Sequence, residues 1–160
     1  MARKIFIDEG KIQDLPQVLD LIHELAAYVG FADHVENTLE QMQIDGFGDN
    51  PIFGLLVAKR GDVVVGASIY YYRYSTWKGK RLYLEDFVVR KEERGQGIGK
   101  QLFDATLKKS LSENCSGMMW QVVKHNHRAI DFYNKVNAKF DTDFINCSLE
   151  SDQIRKILDS

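Results

Sequence analysis

Apolar and polar positions alternate over Lys4 to Asp8, with Ile5 and Ile7 on one side, which predicts a short strand. From Leu15 the period lengthens to that of a helix: Leu15, Val18, Leu19, Ile22, Leu25 and Ala26 form one apolar stripe. Asp14 with Gln17 three residues on reads as a capping box, Pro16 suits a first turn, and Gly30 marks the end. A weaker helix is predicted from Glu36 to Ile44, closed by the turn-forming run Asp45-Gly46-Phe47-Gly48-Asp49-Asn50-Pro51. Phe53 to Lys59, the turn Arg60-Gly61-Asp62 and Val63 to Tyr74 have the β-branched and aromatic content of a hairpin. Ser75 to Lys80 then leads into a third strand, Arg81 to Arg90. Beyond it Ile98, Leu102 and Ala105 lie on one helical line and Phe103, Leu107 and Leu111 on the next, a stripe broad enough to cover a sheet. Cys115 to Lys124 reads as a strand, Asn126 to Val136 as a helix, Phe140 to Leu149 as a final strand and Asp152 to Leu158 as a tail helix.

Hairpins followed by crossover helices predict an α/β (α+β) fold, a mixed and mostly antiparallel central sheet with helices on both faces. Composition agrees with a single domain over residues 1–160: 44% of residues are apolar, 28% are charged and the formal net charge is −2. No apolar run approaches the roughly 20 residues of a membrane span, and the charged start MARKIFIDEG is unlike a signal peptide, so a cytoplasmic protein is expected. Cys115 and Cys147 are expected to be free thiols.

Charge is unevenly spread. Between Lys11 and Lys59 there are eight acids and no Lys or Arg, whereas Arg90 to Lys139 holds ten Lys and Arg against five acids. That pattern suits a surface handling a cationic ligand in one part and an anionic one in another; solvated faces without a partner are the plainer alternative. Two acids stand out in the apolar strand RLYLEDFVVR, Glu85 and Asp86. Charges in such a run are costly unless paired or used, or unless a bulge or edge turns both to water. The strand runs into Arg94-Gly95-Gln96-Gly97-Ile98-Gly99-Lys100, where glycines free the backbone N–H groups and a helix adds its dipole, a combination suited to pyrophosphate. The spacing is neither the dinucleotide fingerprint G-x-G-x-x-G nor a P-loop.

Arg94-x-x-Gly97-x-Gly99 resembles the R/Q-x-x-G-x-G/A loop of the GNAT superfamily of N-acetyltransferases. His23-Glu24-Leu25-Ala26, Asp45-Gly46-Phe47-Gly48, Trp77-Lys78-Gly79-Lys80, Leu82 to Phe87 and Asn126 through Phe132-Tyr133 to Ala138 resemble its spermidine/spermine and thialysine branch. The resemblance implies a V-splayed seven-stranded sheet, a homodimer, and acetyl-CoA as co-substrate without a metal. It also implies that Arg94, Gly95, Gln96, Gly97, Ile98, Gly99 and Lys100 hold the pyrophosphate. Phe87, Val88 and Val89 would pair with pantetheine through their backbones, as an added strand would. Asn126 and Tyr133 would complete the coenzyme site, and Trp77 would border the acceptor.

Acetyl transfer needs a neutral amine, yet an alkyl ammonium has a pKa near 10.4, so a base must take its proton. Glu85 is the expected base, directly or through a water, with Asp86 holding the ammonium form. Backbone N–H groups near Phe87 or Val88 would stabilise the oxyanion formed by direct attack in a ternary complex. Tyr133 is the expected acid for the departing thiolate; a core or interface aromatic is the alternative for it, and a helix cap for Asn126. Polyamine-acetylating relatives carry more acids in the segment corresponding to Tyr28–Asp33 and one before the Trp, where this chain has Ser75-Thr76. A primary amine of a small molecule, a polyamine or diamine or a lysine-like one, is therefore expected, with spermidine itself the poorer fit. Competing readings are acetylation of protein lysines or N-termini and a non-catalytic acyl-CoA-binding module. His125-x-His127 lacks a third ligand at metal-binding spacing, so no metal is expected, and no nucleic-acid-reading motif accompanies the basic surplus.

Overall fold

The computed structural model describes residues 4–160, in two compact units, the first ending at residue 125 and the second spanning 126–160. In the first, β1 (Ile5–Glu9), β2 (Gly54–Arg60), β3 (Val63–Ser75), β4 (Gly79–Val89) and β5 (Met118–Trp120) form one sheet in the order β1-β2-β3-β4-β5. The first three pairings are antiparallel and β4–β5 is parallel. Helices α1 (Leu15–Tyr28), α2 (Leu39–Phe47) and α3 (Ile98–Ser112) complete this unit. The β2–β3 link is the two-residue turn Gly61-Asp62, with Gly61 at φ +64°, the left-handed geometry a tight hairpin turn requires.

The two sheet faces are covered differently. On one, Leu15, Val18 and Leu21 of α1 pack with Met42, Leu55, Val57, Val64, Ala67, Ile69 and Val88. Full burial of each such aliphatic side chain contributes roughly 1.5–3 kcal/mol, which is why a 14-residue helix forms here. On the other, Ile98 of α3 packs with Ala58 and Val65, and the Ser68 and Thr106 hydroxyls bond at 2.8 Å within the contact. Leu102, Phe103 and Thr106 are buried with Ile98, but Leu107 and Leu111 are exposed. The core face of α3 is therefore narrower than its apolar pattern, because Thr106 and Ser110 occupy buried positions.

The expected capping box at α1 is absent. The Asp14 side chain accepts from the Lys11 N–H (2.8 Å) and pairs with Lys59 Nζ (2.6 Å), because a preceding helical turn already holds Asp14 in helical geometry. Gln17 instead fastens α1 to the hairpin, donating to Asp62 C=O and accepting from Val64 N–H. The weaker helix starts later than predicted, at Leu39, where the Thr38 hydroxyl accepts from Gln41 N–H, and it runs through Asp45-Gly46-Phe47.

The second unit contains α4 (His127–Lys135) and α5 (Ser151–Leu158). Phe140 to Leu149, expected as a strand, is irregular, and the strand expected over Cys115 to Lys124 is confined to Met118–Trp120. Five strands form among the described residues, not the seven the resemblance implies. Alternation marks residues able to sit in a sheet, but a strand exists only where a neighbour accepts its backbone hydrogen bonds. Cys115 and Cys147 are free thiols.

Candidate active site

The two acids of β4 sit at a break in the sheet register. Ile69 pairs with Asp86 and Tyr70 with Leu84, leaving Glu85 as an extra residue, a β-bulge. Its effect follows from the period of two. Ahead of the bulge Tyr83 lies against Tyr71, a cavity residue, so Glu85 two positions on faces the same side. After the bulge Val88 packs under α1 while Phe87 meets Phe103 of α3, so Asp86 also faces the α1 side. A regular strand would send consecutive residues to opposite faces; the bulge sends Glu85 and Asp86 to one.

Both acids line a cavity of about 760 Å³ between the sheet, α1 and α2. Leu19, Ile22, Met42, Ile52, Phe53 and Ile69 supply its apolar wall, and Glu36 and Asp45 bring its carboxylates to four, with His34 and no Lys or Arg. Asp86 is the more buried of the bulge pair and Glu85 is exposed. Desolvation and the neighbouring Glu85 charge push Asp86 up to about 6. No ion pair among the described residues reaches either carboxylate. An apolar cavity with unneutralised carboxylates is suited to an aliphatic cation. Glu36, Asp45 and His34 were not read as site residues from sequence, since only the placement of α2 and the preceding loop brings them beside β4. Trp77, expected to border the acceptor, is instead in the β3–β4 turn, 85% exposed, and is not part of the cavity wall.

Beyond Val89, three residues past Asp86, β4 leads into the glycine loop. Gly95 and Gly97 have φ near +80°, and a Cβ at either would meet nothing within 4 Å, so the loop surface is open as well as left-handed. The first helical bond of α3 runs from Gln101 N–H to Gly97 C=O, which leaves the N–H groups of Ile98, Gly99 and Lys100 without helical acceptors. These are the donors an anion at a helix N-terminus uses. The loop is held from both sides. Arg60 donates to both Glu93 oxygens (3.3 and 2.7 Å) and to Gln96 (3.1 Å), and this lowers the Glu93 carboxyl below its ordinary range. Arg94 Nε donates to Val89 C=O, while Lys100 is paired with Asp104 at 2.7 Å. β5 pairs with β4 only at Leu82–Leu84, so no described strand covers that edge of β4 along Phe87 to Val89. Such an edge accepts an extended ligand in strand fashion, which fits the amides of pantetheine.

In the second unit, the Asn126 side chain accepts from Ala129 N–H (3.3 Å) and caps α4. Tyr133 is buried on that helix, its ring edge-to-face with Phe132, and burial pushes its hydroxyl up to about 12. His125 is bonded through Nε2 to Val29 C=O, and no group of three potential metal ligands occurs among the described residues.

The fourth strand thus carries its acids on a bulge and then opens into a left-handed glycine loop at the N-terminus of α3. The chain belongs to the acetyltransferase (GNAT) family, whose profile matches residues 18–138. It is 39% identical over 143 residues to thialysine N-epsilon-acetyltransferase of Bos taurus, covering 84% of each chain. It is 38% identical over 139 residues to spermidine/spermine N(1)-acetyltransferase-like protein 1 of Homo sapiens, covering 82% of this chain and 20% of that one. Among solved structures, an integron cassette protein from the mobile metagenome of V. cholerae shares the fold with a TM-score of 0.78 at 21% identity, over 100% and 99% of the two chains. Acetyl-CoA is the co-substrate of this family, and the chain is an acetyl-CoA-dependent N-acetyltransferase. No helix among the described residues is long and apolar enough to cross a membrane.

Proposed function

We propose that this enzyme acetylates a primary amine of a small aliphatic molecule, lysine-like or a diamine, bound as a cation in the carboxylate-lined cavity. The observation that carries the proposal is the bulge that turns Glu85 and Asp86 into one apolar cavity with Glu36 and Asp45. The name of the bovine relative, which refers to thialysine, supports a lysine-like acceptor, and that of the human relative, which refers to spermidine/spermine, supports an aliphatic amine more broadly.

In this reading the carboxylates first hold the ammonium and then receive its proton. Burial suits Asp86 to be the final acceptor, since a base titrating near 6 is ionised at neutral pH yet close enough to it to take a proton. Glu85, exposed at the same wall, passes that proton by way of water to or from solvent. The free amine attacks the thioester carbonyl, with backbone N–H groups near Phe87 or Val88 facing the oxyanion. As the C–S bond breaks, Tyr133, protonated throughout the neutral range, donates to the departing thiolate while the attacking nitrogen gives up its second proton, which restores the phenol through water. Phe87 to Val89, Arg94 to Lys100 and Asn126 hold the coenzyme.

The test is thiol release from acetyl-CoA with putrescine, spermidine, lysine, thialysine and a lysine peptide, run on the native enzyme and on Tyr133→Phe, Glu85→Gln and Asp86→Asn. Thialysine, lysine or putrescine is expected to be the best acceptor. Tyr133→Phe is expected to lower kcat by about 10²-fold while the variant still binds coenzyme A. Faster turnover of the peptide or of spermidine, or full activity in Tyr133→Phe, would overturn the acceptor class or the acid role respectively.

A further inference from the structure

We infer that Tyr28 is a positioning residue for the coenzyme site: its ring fixes the Arg94 guanidinium from α1. The inference rests on the reading of Arg94 as a pyrophosphate ligand. The Arg94 side chain is half-buried and held at two points. Its Nε donates to Val89 C=O at 3.0 Å, and its guanidinium carbon lies 4.8 Å from the centroid of the Tyr28 ring. Nε is thereby committed to the chain, and the ring attracts the cation through its π face and restricts the rotation that remains about the guanidinium stem. An arginine held this way loses less side-chain freedom when an anion binds than one that swings in solvent.

The same end of α1 makes other contacts with segments that flank the coenzyme site. Glu24, one turn earlier, accepts from Lys91 N–H at 2.8 Å and lies 4.0 Å from Arg90, whose Nε is buried without a hydrogen-bond partner. Val29 C=O meets His125, the residue before Asn126. Tyr28 is 49% exposed and outside both the core cluster and the acceptor cavity wall, so core packing does not explain an aromatic residue there. Leu19 and Ile22 of the same helix do line that cavity. Helix α1 therefore serves the acceptor with its middle turns and the coenzyme with its last.

The experiment measures coenzyme A affinity by calorimetry, and kcat and both KM values, for native enzyme, Tyr28→Ala, Tyr28→Phe, Arg94→Ala and the Tyr28→Ala/Arg94→Ala double variant. Tyr28→Ala is expected to weaken coenzyme A binding and raise the acetyl-CoA KM by about two- to fivefold, the range of an exposed cation–π contact, with kcat and the amine KM unchanged. Tyr28→Phe, which keeps the π face, is expected to match the native enzyme. In the Arg94→Ala background the second substitution is expected to add nothing, since the ring then has no cation to hold. Unchanged affinity in Tyr28→Ala, an equal defect in Tyr28→Phe, a raised amine KM, or additive defects in the double variant would each overturn the inference. Native affinity in Arg94→Ala would instead remove the reading of Arg94 on which it stands.

Discussion

The carboxylate-lined cavity adjoins β4 at its bulge and the glycine loop follows the strand's last residue, and the two treat charge in opposite ways. Beside the loop the acids Glu93 and Glu24 are engaged: Glu93 with Arg60 and Gln96, and Glu24 from α1 with the Lys91 N–H. In the cavity Glu85 and Asp86 face an apolar wall with no cation, and Asp86 is pushed up to about 6. A loop that cradles an anion must keep its backbone fixed, and paired charges around it do so while leaving N–H groups open. A base must change protonation state during turnover, and a tight ion pair would prevent that by holding it far below neutral pH. The same residue type is thus stabilising beside the loop that follows β4 and destabilising at the bulge within it.

The largest effect that bears on this contrast is expected at Asp86. Asp86→Asn removes the proposed base and is expected to lower kcat/KM by about 10²-fold or more. Its effect on stability has the other sign. The folded enzyme holds the Asp86 proton more tightly than the unfolded chain, whose aspartates titrate near 3.8, so this residue favours folding at acid pH. That contribution is lost as pH rises through about 6. At pH 7 Asp86→Asn is therefore expected to be more stable than the native enzyme by up to about 3 kcal/mol, with the difference disappearing below about pH 4. Thermal melts of both proteins from pH 4 to 8 check this, and a variant that is inactive and also less stable at pH 7 would break the contrast. At the loop, Gly97→Ala forces a Cβ onto a residue at φ +78°, a strain of about 1–2 kcal/mol. The acetyl-CoA KM is expected to rise at least about fivefold as the loop relaxes, with the amine KM unchanged; steady-state kinetics in both substrates separate the two.

How far each region could be read beforehand follows from how local it is. The loop is a continuous run from Arg90 to Lys100, so its glycines, its arginine and the helix that follows were legible as one motif. The cavity is assembled from α1, the segment before α2, α2, β3 and β4, and of its four acids only Glu85 and Asp86 stood out, as charges inside an apolar strand. That they share one face depends on the register of β4 against β3, which no property of RLYLEDFVVR fixes, although a bulge was one of the readings that run allowed. Tyr28 gave no signal because its partner is 66 residues away. Apolar pattern overstated structure at both Leu107 and Phe140 to Leu149: periodicity reports which residues tolerate burial, and the elements available to cover them decide which are buried.

The smallest expected effect is also the one that tests the contrast most directly, because it repeats the acid-to-amide change in the loop that follows β4. Glu93 lies beside the loop with its carboxyl lowered by the Arg60 hydrogen bonds, so folding favours its ionised form. Its stabilisation is present above the ordinary carboxylate range and is lost as pH falls through and below that range. Glu93→Gln is therefore expected to lower the melting temperature at pH 7 slightly, since the pair is near solvent and screened by salt, and to converge with the native enzyme in acid. Asp86→Asn and Glu93→Gln remove the same charge from one strand and from the loop that follows it, yet their melting curves are expected to depart from the native one in opposite directions at pH 7. Departure in the same direction would mean that net charge, rather than the local pairing or isolation of each carboxylate, governs both sites.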